Sequence, residues 1–216
     1  MNAPLPSVSW TGRLVRLLAG LWLYGATMAF MIEADLGLDP WDVFHQGVER
    51  HVPLSFGQIV IVTGAILLLL WIPLRQRPGL GTVLNVILIG IAVDVTLAWL
   101  PTPDQLGVRG AFLAIGVVGN GLAGALYIGS GFGAGPRDGL WRGVVRRTGL
   151  STRLVRTTLE VSVLAIGFVL GGTVGVGTVI YALTIGPIVQ LFLQLVGDRP
   201  EAERGAAASR RVEAAA

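Results

Sequence analysis

Six times along the chain the sequence runs for about twenty residues with few charges, and polar, glycine or proline clusters separate the runs. A helix rises 1.5 Å per residue, so ~20 apolar residues cover the ~30 Å hydrocarbon core of a bilayer. The runs predict membrane spans at approximately 14–32, 56–74, 80–100, 111–132, 156–172 and 174–195. The fifth is the weakest, because its uninterrupted apolar core is short and Glu160 falls in its first turns. After the first and fourth runs the pattern changes to a short amphipathic helix, at 40–51 and 136–147. In the first of these, Trp41, Phe44 and Val48 share one face while Asp42, Gln46 and Glu49 share another. Such a helix lies in the interface or dips into the membrane as a half-helix whose free N–H groups point at a passing solute.

The pattern repeats. Shifted by 96 positions, the first half of the chain falls on the second without a gap: Gly25 on Gly121, Ala29 on Ala125, Gly37 on Gly133, Pro40 on Pro136, Asp42 on Asp138, Gly47 on Gly143, Arg50 on Arg146, Leu54 on Leu150 and Ser55 on Ser151. "GLGTV" at 79–83 then falls on "GVGTV" at 175–179. Glycine, leucine and valine match by accident in an apolar chain, whereas proline, aspartate, arginine and serine in constant register do not. Three spans per copy is an odd number, so the second copy enters the membrane from the opposite side. The expected fold is an all-α membrane protein of six transmembrane helices in two inverted three-helix repeats, each with a short amphipathic or half-helix after its first span. The expected organisation is a cytoplasmic segment at 1–13, repeats at 14–100 and 110–196, and a polar cytoplasmic tail at 197–216.

Composition agrees with that reading. The 216 residues have a mean hydropathy of +0.71, with 53% hydrophobic and 13% charged residues, which excludes an ordinary soluble domain. All sixteen basic residues are arginine, and they orient the chain. With the N-terminus in the cytoplasm, fourteen arginines fall inside and only Arg50 and Arg109 outside. This places both termini in the cytoplasm of a bacterial cell membrane. The basic start and apolar run of the first span resemble a signal peptide, but that span belongs to the repeated unit and is expected to be retained. A pI near 10 without a basic face on a soluble fold gives no reason to expect nucleic acid. With no cysteine and two histidines, no metal site, cofactor or enzymatic constellation is expected.

Candidate chemistry lies in the two breaker stretches, "LGLDPWDVFHQGVER" at 36–50 and "GFGAGPRDGLWRGVVRR" at 131–147. Gly37, Gly133 and Gly135 let the chain turn out of the preceding helix, where φ turns positive. Pro40 and Pro136 suit the first helical position, where the missing N–H costs nothing. Asp39 is placed to cap the first short helix. Asp42 and Asp138 either cap or belong to a solute or proton path, and Arg137 and Arg146 join them as substrate-binding candidates. Within the spans, a charge costs ~2.5 to 3.5 kcal/mol on insertion scales, which singles out Glu160 and Asp94 for ion coupling. Glu160 follows Arg156 by four residues and can pair with it. Asn85, its counterpart Tyr181, and Asn120 either bond helix to helix or line a cavity.

The second breaker stretch and its continuation, "GFGAGPRDGLWRGVVRRTGLSTRLVRTTLE", resemble the signature of the YczE/YyaS/YitT group of bacterial integral membrane proteins. In that group a G-x-G-x-G-P-x-D-G stretch follows a membrane helix and precedes a basic segment ending in R-x-x-x-E. The matching positions are Gly131, Gly133, Gly135, Pro136, Asp138, Gly139, Arg156 and Glu160. The first copy departs from the signature, with Leu38, Asp39 and Trp41 in place of Ala134, Gly135 and Arg137. The resemblance implies a fold rather than an activity. Two functions are expected: a small-solute transporter or channel with its path between the repeats, or a membrane accessory protein that docks a cytoplasmic enzyme through its arginine-rich inner surface. The partners are the lipid bilayer and an unidentified small solute, with a homo-oligomer and a cytoplasmic protein partner left open.

Overall fold

The computed structural model describes residues 9–196, so the terminal segments 1–8 and 197–216 of the expected organisation lie outside the described residues. Within them the chain is all helical: α1 (Trp10–Ala34), α2 (Pro40–Glu49), α3 (Phe56–Trp71), α4 (Leu80–Leu97), α5 (Leu106–Ser130), α6 (Pro136–Thr148), α7 (Thr152–Val169) and α8 (Val176–Leu195). Every helix of the first half begins 96 positions before its counterpart in the second. Four helices, α1, α4, α5 and α8, are long and apolar enough to cross a membrane. The other two expected spans differ for identifiable reasons. α3 is apolar but has 16 residues, and α7 carries Arg153, Arg156 and Glu160.

Local chemistry sets the helix ends. Ser9, Ser55 and Ser151 cap α1, α3 and α7 through their hydroxyls, and Ser55 forms a reciprocal capping box with Gln58. Asp39 caps α2 as expected, its Oδ1 accepting the Trp41 and Asp42 N–H groups at 2.9 and 3.3 Å. Asp42 and Asp138 cap nothing. Gly37 and Gly133 do take positive φ, +107° and +123°, and a Cβ at Gly37 would lie 2.5 Å from the Gly175 backbone nitrogen. Gly135 does not: at φ −63° it is the extended N-cap of α6.

α1 and α5 pack along one another as the central pair, with α4 against α1 and α8 against α5. Hydrocarbon gives apolar side chains little reason to leave lipid, so close van der Waals packing and interhelical hydrogen bonds hold such helices together. Glycines permit the approach: a Cβ at Gly20 would lie 2.8 Å from the Tyr127 nitrogen, and one at Gly25 would lie 2.5 Å from the Ile89 carbonyl. Leu17, Leu21, Met28 and Met31 are buried between these helices.

Many contacts recur with the halves exchanged. The Gly81 N–H donates to the Phe132 carbonyl at 2.9 Å, and the Gly177 N–H to the Leu36 carbonyl at 2.7 Å. Arg13 Nε donates to the Ser130 carbonyl at the end of α5 (2.8 Å), and Arg109 Nε to the Ala34 carbonyl at the end of α1 (2.7 Å). Each guanidinium therefore satisfies helix-end carbonyls that have no intrahelical donor. Sequence reading took these two arginines only as topology markers.

One relationship breaks the exchange. α3 packs along α4, and a Cβ at Gly57 or at Gly90 would fall on the other glycine's carbonyl. Asp94 fastens this seam, accepting hydrogen bonds from Ser55 Oγ at 2.5 Å and from the Gly57 N–H at 2.7 Å. The equivalent helices α7 and α8 make almost no contact. Arg153 stands where Gly57 does, Gln190 replaces Asp94, and nothing lies within 4 Å of a Cβ at Gly186, the counterpart of Gly90.

Candidate functional site

A cavity of about 280 Å³ lies between the halves, lined by residues of all eight helices or their caps. At its base α2 and α6 meet. The Arg137 guanidinium carbon lies 5.0 Å from the centre of a Trp41 ring, a cation–π contact. Its terminal nitrogens stand 3.7 Å from Asp39 Oδ1 and 3.7 Å from Asp42 Oδ1. These are ion pairs too long to be hydrogen bonds.

Three features hold α6 in place. Its first carbonyl, that of Pro136, accepts a hydrogen bond from Trp71 Nε1 at 2.9 Å. The same indole lies over Gly139, where any Cβ would overlap the ring, so the final glycine of the G-P-x-D-G motif is a packing requirement. Tyr127 donates to the Gly133 carbonyl at 3.0 Å and fixes the turn leading into α6.

α2, whose two-faced pattern allows either an interfacial helix or a half-helix dipping into the membrane, packs against α7. Trp41, Asp42, Val43 and His45 are all buried: α7 packs closely against Val43, Phe44 and Gly47, while Arg137 stands beside Asp42 and Phe56 against His45. His45 Nδ1 lies 3.2 Å from Asp42 Oδ1. An ionised carboxylate only accepts, so Nδ1 carries the hydrogen. Burial pushes the imidazole down to about 3, with the Arg137 charge acting in the same direction, which keeps His45 neutral. Burial pushes the Asp39 carboxyl up to about 7, and the Asp42 charge adds to the rise while Arg137 opposes it. Asp42 is also raised, by burial against the pull of Arg137.

The structure gathers most of the sequence-predicted residues. Asn85, Asn120, Arg137, Asp138, Glu160 and Tyr181 line the cavity, and Asp42 lies fully buried behind Arg137. Asn120 Oδ1 accepts from the Tyr181 hydroxyl at 2.9 Å, and its Nδ2 donates to Thr27 Oγ1 at 3.3 Å. Trp141 Nε1 donates to Asp138 Oδ1 at 3.3 Å. Arg156 and Glu160 pair at 2.9 Å, as their spacing predicts, but on a half-exposed wall rather than in a buried one. Arg146 and Asp94 lie elsewhere. Arg146 donates to the Leu74 and Arg75 carbonyls (2.9 and 3.0 Å) just beyond α3, and Asp94 fastens the α3–α4 seam.

Sequence reading missed Trp41, His45 and Tyr24 as cavity residues, and gave Asp39 a capping role alone. Trp41 aligns with Arg137 in the repeat, but only the structure shows that the two touch and so lie where the halves meet.

Similarity to known proteins extends over nearly the whole described chain. Residues 11–194 match a family of unknown function, DUF6198. A Haemophilus influenzae protein described as uncharacterized is 40% identical over 85% of this chain and 84% of its own. The Bacillus subtilis membrane protein YczE is 33% identical (81% of this chain, 82% of its own), and YyaS of the same organism is 26% identical (82% and 90%). No solved structure matches the chain. The breaker motifs, the all-helical architecture and these relatives converge, and the chain belongs to the DUF6198 family of YczE-like membrane proteins.

Proposed function

We propose that this protein is a non-enzymatic transporter of a small polar solute, with six membrane-crossing segments arranged as two inverted repeats and the solute site in the central cavity. α3 and α7 complete the six crossings, the shorter α3 by local thinning of the bilayer and the charged α7 with Arg156 and Glu160 paired toward the cavity. The fourteen-to-two distribution of arginines supports cytoplasmic termini in a bacterial cell membrane.

The carrying observation is the unequal pair of seams flanking one cavity. The α3–α4 seam is closed and fastened by Asp94, while the equivalent α7–α8 seam is parted. In the orientation that the arginines favour, the closed seam faces outward and the parted one inward, which is the arrangement of an inward-open alternating-access protein. The accessory-protein reading finds less support. Arg146 and Arg147, though exposed, already donate to the Leu74, Arg75 and Pro73 carbonyls at the end of α3, which gives them a structural role within the chain.

The absence of cysteine makes the test direct. Single cysteines at Ala182 and Ile185, on the cavity wall of α8, should react with a membrane-impermeant thiol reagent from the cytoplasmic side. Cysteines at Val60 and Ile89, across the closed seam, should not react from outside. Labelling of Val60 or Ile89 from outside, or no labelling of Ala182 and Ile185 from the cytoplasm, removes the inward-open reading.

A further inference from the structure

Asp39 and Asp42 are buried at the start of α2, where Asp39 Oδ1 accepts the Asp42 N–H at 3.3 Å and each carboxylate stands 3.7 Å from the one Arg137 guanidinium, and one oxygen of each accepts no hydrogen bond from the protein. Their other oxygens are committed: Asp39 Oδ1 to the α2 cap and Arg137, and Asp42 Oδ1 to His45 and Arg137. The facing groups come from several elements. α6 supplies the Arg137 cation, α2 the neutral His45 imidazole, and α1 and α8 the phenols of Tyr24 and Tyr181. α3 places Phe56 against His45, and the α7 charges Arg156 and Glu160 pair with each other.

Two carboxylates beside one guanidinium leave one unbalanced negative charge in a buried place, and an uncompensated buried charge is strongly unfavourable. One proton corrects both deficits. It cancels the surplus charge, and as O–H···O⁻ between the carboxyls it gives the unpartnered oxygens what they lack. A metal cation would need a shell of several oxygens and would stand against Arg137.

We propose that Asp39 and Asp42 share one exchangeable proton and that this proton is the coupling ion of the cavity, in place of the Glu160 and Asp94 sites expected from sequence. The coupling role rests on the transport reading; the proton site does not. A proton from cavity water bonds to a carboxylate oxygen of Asp39, which lines the cavity, and is shared with Asp42. The pair passes from two negative charges to one, and its hold on Arg137 weakens. The guanidinium then turns its donors toward a solute. Loss of the proton to cavity water reverses each change. Burial of both carboxyls favours the protonated form, which agrees with this assignment.

Infrared titration of the purified protein in nanodiscs tests the site without requiring a solute. The wild type should show a protonated-carboxyl stretch near neutral pH that titrates as a single proton and shifts in D₂O. Asp42→Asn, which leaves the Asp39 cap intact, should abolish it, and Asp94→Asn should leave it in place. Arg137→Gln should raise the midpoint by at least one pH unit, a tenfold tighter hold on the proton, because a nearby positive charge is gone. Absence of the band in folded wild type overturns the proposal, as does its persistence in Asp42→Asn or a midpoint that moves when sodium replaces potassium. A band of the expected behaviour in a protein whose cavity fails the labelling test would leave the proton site standing and remove transport.

Discussion

Arg137 and Trp41 occupy the same place in the two halves of the chain, 96 positions apart, and they touch, with the guanidinium 5.0 Å from the indole ring centre. Two equivalent residues in contact mark where the halves meet, and the cavity opens there. The repeat is not a copy at this point. One half supplies an aromatic face and the other the cation that rests on it, so exchanging the halves exchanges an apolar wall for a charged one.

The Asp94 latch should be separable from folding. Asp94→Ala removes the acceptor of two hydrogen bonds, each worth about 1.5 to 3 kcal/mol where one partner is charged. The α3–α4 seam should loosen, and a cysteine at Val60 should become severalfold more reactive from outside while the protein remains monodisperse. Unchanged reactivity would show that glycine packing alone holds the seam.

Equivalent glycines should respond in opposite ways. Gly90→Ala drives a methyl group onto the Gly57 carbonyl and should lower the unfolding midpoint by several degrees, an overpacking cost of about 1 to 3 kcal/mol. Gly186→Ala meets no atom within 4 Å and should be neutral or stabilising, since alanine is the better helix former by about 1 kcal/mol. Thermal unfolding of the two variants in one detergent compares them directly.

The arginine clamps should contribute alike. Arg13→Gln and Arg109→Gln each leave helix-end carbonyls without a charged donor, at a cost of about 1 to 3 kcal/mol. The clamps join opposite ends of the α1–α5 pair, so the double variant should lose close to the sum. Chemical unfolding of the four proteins decides it, and a double variant no worse than either single one contradicts the assignment.

Asp39 sets a pH dependence whose sign is fixed. Its folded value, near 7, lies above its ordinary value, so the folded state holds the proton more tightly. The stability this gives is complete below the ordinary value and is lost as pH rises through about 7. Asn is also a good helix cap, so Asp39→Asn removes the titration and keeps the cap. The stability of wild type relative to Asp39→Asn should therefore fall between pH 4 and pH 8, and a difference that grows with pH contradicts the burial of this carboxyl.

The amino-acid sequence determined the helices, their order and their repetition, because apolar run length, proline at the first helical position and serine or aspartate caps act within a few residues of chain. It also placed Asp39 as a cap and Arg156 with Glu160, since both depend on spacing along one helix or its cap. Only the tertiary structure decided that α2 is buried at Trp41, Asp42, Val43 and His45, that Arg137 serves Asp39 and Asp42 across the repeat boundary, that Arg146 and Asp94 secure helix ends away from the cavity, and that one seam is closed while its equivalent is parted. Those outcomes depend on which backbones approach closely. That approach is set by glycines and charged groups whose partners lie tens of residues away, so no local pattern encodes it.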